Sequence, residues 1–186
     1  MKKKIIVFVI LLLFLCSIGY TENIVAPNND FYYLDDAGVL SEILEGEIFF
    51  SNRLLYDDCG AQIVVVAIDS TNGTDIEDYS IELFNNWGIG SKEKNNGFLL
   101  LLAIQDDDYY ACPGLGLKEE LSSVVIQEML NECLEPDFAA GCYDAGVKKV
   151  FETVFRRIAD IYNSEVTPKD GIDAYNMFLL EHKRNK

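Results

Sequence analysis

Two stretches of this chain, Gln62–Ile68 (QIVVVAI) and Phe98–Ile104 (FLLLLAI), constrain its fold more than any other feature. Neither alternates apolar with polar residues. A strand with one wet face alternates with period two, whereas a strand that is apolar throughout must be covered on both faces. Covered strands of this kind form the middle layer of a structure with helices on either side.

The intervening segments have the helical period. Ser41 is a good N-cap for a helix reaching about Tyr56, with Leu40, Leu44, Ile48 and Leu55 near one face. Thr74 to Glu77 reads as a capping box, Thr at N-cap and Glu at N3. The helix behind it places Ile76, Tyr79, Leu83, Phe84 and Trp87 on one stripe and ends at Gly88. Phe31 to Leu34 is a brief aromatic edge strand, broken by Asp35-Asp36-Ala37-Gly38. Asp106 to Asp108 turns the chain, and Tyr109 to Pro113 returns beside the second buried strand as a hairpin. Two further helices are expected, from about Glu119 to Cys133 and from about Asp137 to Tyr162. Residues 163–171 read as a polar linker, and residues 174–186 as a short amphipathic tail with a basic end. The fold class is α/β, a three-layer α/β/α sandwich with a small mixed sheet of about four strands. The domain is expected over residues 30–162, with 20–29 as a linker.

The first 19 residues do not belong to that domain. Met1-Lys2-Lys3-Lys4 precedes an almost wholly apolar run from Ile5 to Ile18, and Ser17-Ile18-Gly19 has the small residues of a cleavage site. This is the pattern of a secretory signal peptide, with a retained N-terminal anchor as the alternative. The bulky residues before Cys16 make Leu13-Phe14-Leu15-Cys16 a poor lipidation box, which leaves a lipoprotein as the least favoured alternative. The expected location is therefore secreted or extracytoplasmic and surface-tethered, with membrane contact only through this segment.

Charge narrows the partners. The chain carries a net charge of -16, and about -19 without its first 19 residues. A surface so acidic repels phosphate backbones, so no nucleic-acid partner is expected. It suits cations. Four cysteines follow the leader: Cys59, Cys112, Cys133 and Cys142. Export permits disulfides, and both Cys133–Cys142 and Cys59–Cys112 are compatible with the order, as is a set of four thiols. The sole histidine, His182, lies in the tail, which argues against a Cys/His zinc site and against a Ser-His-Asp triad. Lys148, not Arg, stands five residues after Cys142, which removes the cysteine-phosphatase arrangement. Gly114-Leu115-Gly116 lacks the third glycine of a dinucleotide fingerprint, so no organic cofactor is expected.

The loop NNWGIGSKEKNNG, residues 85–97, is the other informative stretch. Asn95-Asn96-Gly97 is an ordinary tight turn before a strand. It is also a source of oxygen ligands. Asp36, Asn95, Asn96 and loop carbonyls are the donors that Ca²⁺ accepts, and loops beyond strand ends are where α/β sheets bind ligands. Residues alone leave both uses open.

Several fragments, taken in order, resemble the TPM domain family, also called TPM phosphatase domains. They are YLDDAGVLS (33–41), AQIVVVAIDS (61–70), DIEDYSIELFNNWGIGSKEKNNGFLLLLAIQDDD (75–108), GLGL (114–117) and PDFAAGCYDAG (136–146). The resemblance implies an exported or membrane-tethered α/β/α domain. In bacteria such domains often precede a membrane span; here the expected tether is the N-terminal segment. Plant relatives of the family sit in the thylakoid lumen, and an animal relative modulates an acetylcholine receptor. Acid phosphatase activity is reported for some members and bound Ca²⁺ for some.

Position by position, Asp36 matches the family's aspartate at the end of the first strand. Trp87, Gly88, Gly90 and Lys92 match its loop, and Gly114 and Gly116 match a Gly-x-Gly pair. The family usually carries Asp-Asn-Gly or Asp-Asp-Gly where this chain has Asn95-Asn96-Gly97, which removes carboxylate charge. Pro113 replaces a usual valine. The resemblance thus implies Asp36, Asn95 and Asn96 as a Ca²⁺ site, Lys92 as an anion contact, and Gly88, Gly90, Gly97, Gly114 and Gly116 as residues that shape the loops. Two functions are expected from it: a weak Ca²⁺-assisted phosphomonoesterase, or a non-catalytic module for envelope or membrane protein partners. A Ca²⁺-stabilised structural domain is a third.

Overall fold

A computed structural model describes residues 24–27 and 32–184. The leader at 1–19, most of the 20–29 linker and Phe31 lie outside the described residues. In chain order the protein forms β1 (Tyr33–Asp35), α1 (Glu42–Cys59), β2 (Gln62–Ile68), α2 (Ile76–Trp87), β3 (Gly97–Ala103) and β4 (Asp108–Pro113). A 3₁₀ turn (Leu115–Leu117) follows, then α3 (Ser123–Cys133), α4 (Glu135–Phe138), α5 (Tyr143–Tyr162) and α6 (Pro168–Arg184). The sheet order is β1-β2-β3-β4. The first three strands are parallel, with Val65 opposite Leu100, and β4 runs antiparallel to β3, with Leu100 opposite Ala111.

Every residue of β2 and β3 is buried, as their unbroken apolar character demands. The pleat sends alternate side chains to two separate cores. Ile63, Val65, Ala67, Phe98, Leu100 and Leu102 meet α1, α3 and α5 on one face. Val64, Val66, Ile68, Leu99 and Leu101 meet Tyr79, Leu83 and Trp87 of α2 on the other. The three-layer sandwich is thus lopsided: several helices cover one face, a single long one the other. Trp87 is a core residue, and its indole N–H also donates to the Val25 carbonyl at 2.9 Å, tying residues 24–27 to the α2 side.

Three helix boundaries differ from the sequence reading. Asp75, not Thr74, caps α2: its carboxylate accepts the Glu77 and Asp78 N–H groups. The carbonyl of Thr74 instead receives the Thr71 hydroxyl at 2.7 Å, so Thr74 closes the preceding turn and the helix begins one residue later. The helix expected from Glu119 starts only behind Ser122, whose hydroxyl caps α3. The helix expected from Asp137 is broken at Gly141, where φ is +70°, so the long run starts at Tyr143.

The tail departs most. The helix expected at 174–186 begins at Pro168 and includes the Pro168 and Gly171 read as linker. A side chain at Gly171 would lie 2.5 Å from the Ser51 Cα, so α6 and α1 touch backbone to backbone there. Phe50 of α1 packs on Tyr175 and Phe178 of α6, ring centroids 5.7 and 5.4 Å apart.

Candidate functional site

The glycine-rich loop folds into a knot of backbone at the N-terminal end of β3. Gly88 takes the left-handed conformation, φ +63°, that ends α2. Gly90 lies directly against the backbone of Gly97, and Gly114 and Gly116 lie against the carbonyls of Asn95 and Lys94. A Cβ at any of these last four would overlap main-chain atoms. The contact is sealed by hydrogen bonds: Gly114 N–H to the Gly97 carbonyl at 2.7 Å, and Gly116 N–H to the Asn95 carbonyl at 2.9 Å.

The polar side chains here hold that knot together. Asn96 is fully buried. Its Oδ1 accepts from the Ser91 N–H and hydroxyl, and its Nδ2 donates to the Cys59 carbonyl at 3.2 Å. The Gln62 Oε1 accepts the Gly90 N–H at 2.6 Å. Lys94 also donates to the Cys59 carbonyl, and its Nζ sits 5.0 Å from the centre of the Tyr162 ring. Asn95 is exposed in a left-handed conformation, φ +49°, and Lys92 is exposed beside it.

Asp36 is elsewhere. It follows β1 at the C-terminal ends of the parallel strands, where its N–H bonds the Ala67 carbonyl at 2.9 Å. Asn95 and Asn96 precede β3 at the opposite ends. A strand of seven residues separates the two levels by about 20 Å. Asp36, Asn95 and Asn96 therefore do not form one coordination shell, and Lys92 does not face Asp36. The sequence reading brought them together by placing every conspicuous loop at one end of the sheet. The two parallel connections, β1–α1–β2 and β2–α2–β3, instead put the loops that enter helices and the loops that enter strands at opposite ends of the sheet.

The carboxylates near Asp36 serve the loops around them. Asp35 accepts the Val39 and Leu40 N–H groups at 3.1 and 2.7 Å. Asp106 accepts the Ser70 hydroxyl and the Thr71 N–H, both at 2.7 Å, which stitches the β2–α2 loop to the β3–β4 turn. The Ser70 hydroxyl, then Thr71, hold the Asp106 carboxyl below the usual carboxylate range.

A concavity opens along the outer edge of β4, between α2 and the start of α3. It encloses about 750 Å³. Tyr110 to Gly114 form its floor, Ile81 and Phe84 one wall, Ser123 and Ile126 the other, and Asn95 touches one end. Ile81 and Leu115 stand at its rim 44% and 72% exposed, so the groove has apolar lips open to solvent. Glu77 and Lys118 are its charged residues. Burial pushes the Cys112 thiol up to about 12, with the Glu77 carboxylate adding to the rise. Burial, and then the same carboxylate, push the Tyr110 hydroxyl up to about 12. At neutral pH neither is a nucleophile.

Cys59, Cys112, Cys133 and Cys142, the cysteines among the described residues, are free thiols. Cys59 packs in the core with α1, while Cys112 packs on the other side of the sheet, which keeps those two apart. His182 is exposed on α6, against the ring of Phe178.

A family model, that of the TPM domain, matches residues 33–157. The chain belongs to the TPM domain family. Three solved structures share its fold. The N-terminal domain of a protein from P. gingivalis superposes with a TM-score of 0.65 at 24% identity, over 73% of this chain and 86% of that one. The BA42 protein of Bizionia argentinensis gives 0.54 at 16% identity, over 73% and 92%. The N-terminal domain of a Corynebacterium glutamicum protein gives 0.53 at 17%, over 72% and 85%. No sequence relative is found among curated proteins. In this TPM domain the matched residues end within α5, and α6 lies beyond them. Of the residues singled out in the sequence, the structure brings Asn95 and Gly114 to the groove. Ile81, Tyr110 and Leu115, which also line it, carry no signal in sequence: each reads as an ordinary core, strand or loop residue until β4 is seen to be the edge strand among the described residues.

Proposed function

We propose that this TPM domain is an exported, non-catalytic module that binds a partner protein of the cell envelope through the groove beside β4. One observation carries the reading: a groove of 750 Å³ with apolar lips stands open on the domain. Its size is that of a binding site, and exposed contiguous apolar surface is unfavourable without a use. The loop that resembles a phosphatase site supports the same reading. Its Asn96 and Lys94 side chains are committed to a main-chain carbonyl, and its expected acidic partner is at the other end of the sheet. Export rests on the basic start and apolar run of the first 19 residues.

Two measurements test this together. A photoreactive residue placed at Leu115 is expected to give a discrete protein adduct in the native envelope, and one placed at Lys92 is expected to give none. The purified protein is expected to hydrolyse no aryl phosphate, with Ca²⁺ or with chelator. Turnover that depends on Ca²⁺ and disappears in Asp36→Ala would overturn the proposal, and so would an adduct that is no stronger from Leu115 than from Lys92.

A further inference from the structure

Among the described residues the floor of the groove is the unpaired edge of a β-sheet, and its hydrogen-bonding groups can be assigned one by one. The Gly114 N–H bonds the Gly97 carbonyl. In an antiparallel ladder, hydrogen-bonded pairs alternate with non-bonded ones. The register pairs Leu99 with Cys112 and Leu101 with Tyr110. Cys112 and Tyr110 therefore point their backbone groups at β3, while Tyr109, Ala111 and Pro113 point theirs outward into the groove. The Tyr109 N–H is taken by the Asp108 carboxylate at 2.8 Å. Pro113 has no N–H. What remains outward is one donor, the Ala111 N–H, and three acceptors, the carbonyls of Tyr109, Ala111 and Pro113.

Edge strands are usually blunted against accidental pairing, and proline and a capped N–H do that here at both ends of β4. The centre, at Ala111, is left unblunted, and it lies between the apolar wall of α2 and the start of α3. We infer that the groove takes an extended peptide of a partner protein, which adds to β4 as a fifth strand and exchanges a pair of backbone bonds with Ala111. This rests on the binding role proposed above and names the chemistry of the partner. About five extended residues, some 17 Å, cover the span from Tyr109 to Pro113. Residues at alternate positions of that peptide meet Ile81 and Phe84 on one side and Ser123 and Ile126 on the other, so the set that faces α2 is apolar. The three outward carbonyls require N–H groups at every second position, so proline is excluded there.

A second copy of this chain is the poorer occupant. Its own β4 is recessed between its own α2 and α3, so two such edges cannot approach, and two chains of net charge -16 repel. A single neutral or basic strand meets neither obstacle.

The test uses a phage-displayed library of random heptapeptides selected on the whole protein, followed by amide hydrogen exchange. In the free protein the Ala111 amide is expected to exchange at least tenfold faster than those of Tyr110 and Cys112. A selected peptide is expected to slow Ala111 at least tenfold. N-methylation of that peptide at its central residue is expected to weaken binding at least tenfold, a readout that needs no change in the protein. Leu115→Asp is expected to weaken it as well. Binding that depends on Leu115 but leaves Ala111 exchange untouched would overturn the strand-pairing inference and leave the groove as a partner site. No enriched peptide, binding indifferent to both Leu115→Asp and N-methylation, or a dimer formed through β4 would each overturn the inference outright.

Discussion

Asn95 and Asn96 are adjacent, alike in chemistry, and different in consequence. Asn96 is buried with its amide fully used by Ser91 and Cys59. Removing it leaves the Ser91 N–H without its acceptor and the Cys59 carbonyl with Lys94 alone, so Asn96→Ala is expected to cost about 1–3 kcal/mol in urea denaturation. Asn95 is exposed, and its left-handed φ also suits aspartate. Asn95→Asp, which restores the residue usual in the family, is expected to cost less than about 1 kcal/mol in the same assay. Ser80 gives the opposite case. Its hydroxyl is fully buried and, among the described residues, is the one buried side-chain polar atom with no hydrogen-bond partner. Ser80→Ala is therefore expected to raise stability by about 0.5–1 kcal/mol, since it removes an unsatisfied group and little volume. Equal or lower stability in that variant would mean that the hydroxyl does have a partner in solution.

Among the elements, α6 is the one the sequence undervalued. Its 3.6-residue period is interrupted by polar residues, and Gly171 reads as a break. In the fold, Gly171 is what allows α6 to reach α1, because Ser51 backbone atoms occupy the place of a side chain. A flexible side chain cannot relieve that overlap. Gly171→Ala is expected to undock α6, seen as faster proteolysis within residues 168–184, while the fluorescence of the single tryptophan, Trp87, is unchanged on the far side of the sheet. Loss of the Trp87 signal along with α6 would show that the two layers unfold as one unit. The other elements were legible because period and cap agreed: Ser41 opens α1 and Gly88 closes α2 as their positions demand. Where a cap was misplaced, as at Thr74, the Thr74 carbonyl accepts the Thr71 hydroxyl within the loop and the next residue, Asp75, caps the helix.

At the scale of the whole molecule, the charge and the buried acids set the pH limits of the fold. Cys112 and Tyr110 are held neutral by burial, with folded values raised to about 12 from ordinary values of 9 and 10. A raised acid favours the fold fully below its ordinary value and loses that contribution as pH climbs toward the folded one. Unfolding by urea is therefore expected to become easier from about pH 9 upward, with Cys112→Val moving the onset toward 10. Asp106 works in the other direction. Its lowered value means that its contribution is present above the ordinary 3.8 and disappears as pH falls below it. Asp106→Asn is expected to flatten the acid limb of the stability curve, and an unchanged limb would assign it to other carboxylates.

The sequence by itself determined the layers. Two strands without alternation can exist only between two helical layers, and helices with one apolar stripe can only supply them. It also marked, through four glycines, where main chain must pass against main chain. It did not determine which loops share an end of the sheet. That depends on the direction in which each connection crosses, a property of the assembled sheet and not of any one segment. For the same reason Asp36 and Asn96 looked like partners and are separated by the length of a strand. The groove was invisible for a related reason. An edge is defined by the strand that is not there, and only the tertiary structure shows that nothing in the described chain lies beyond β4.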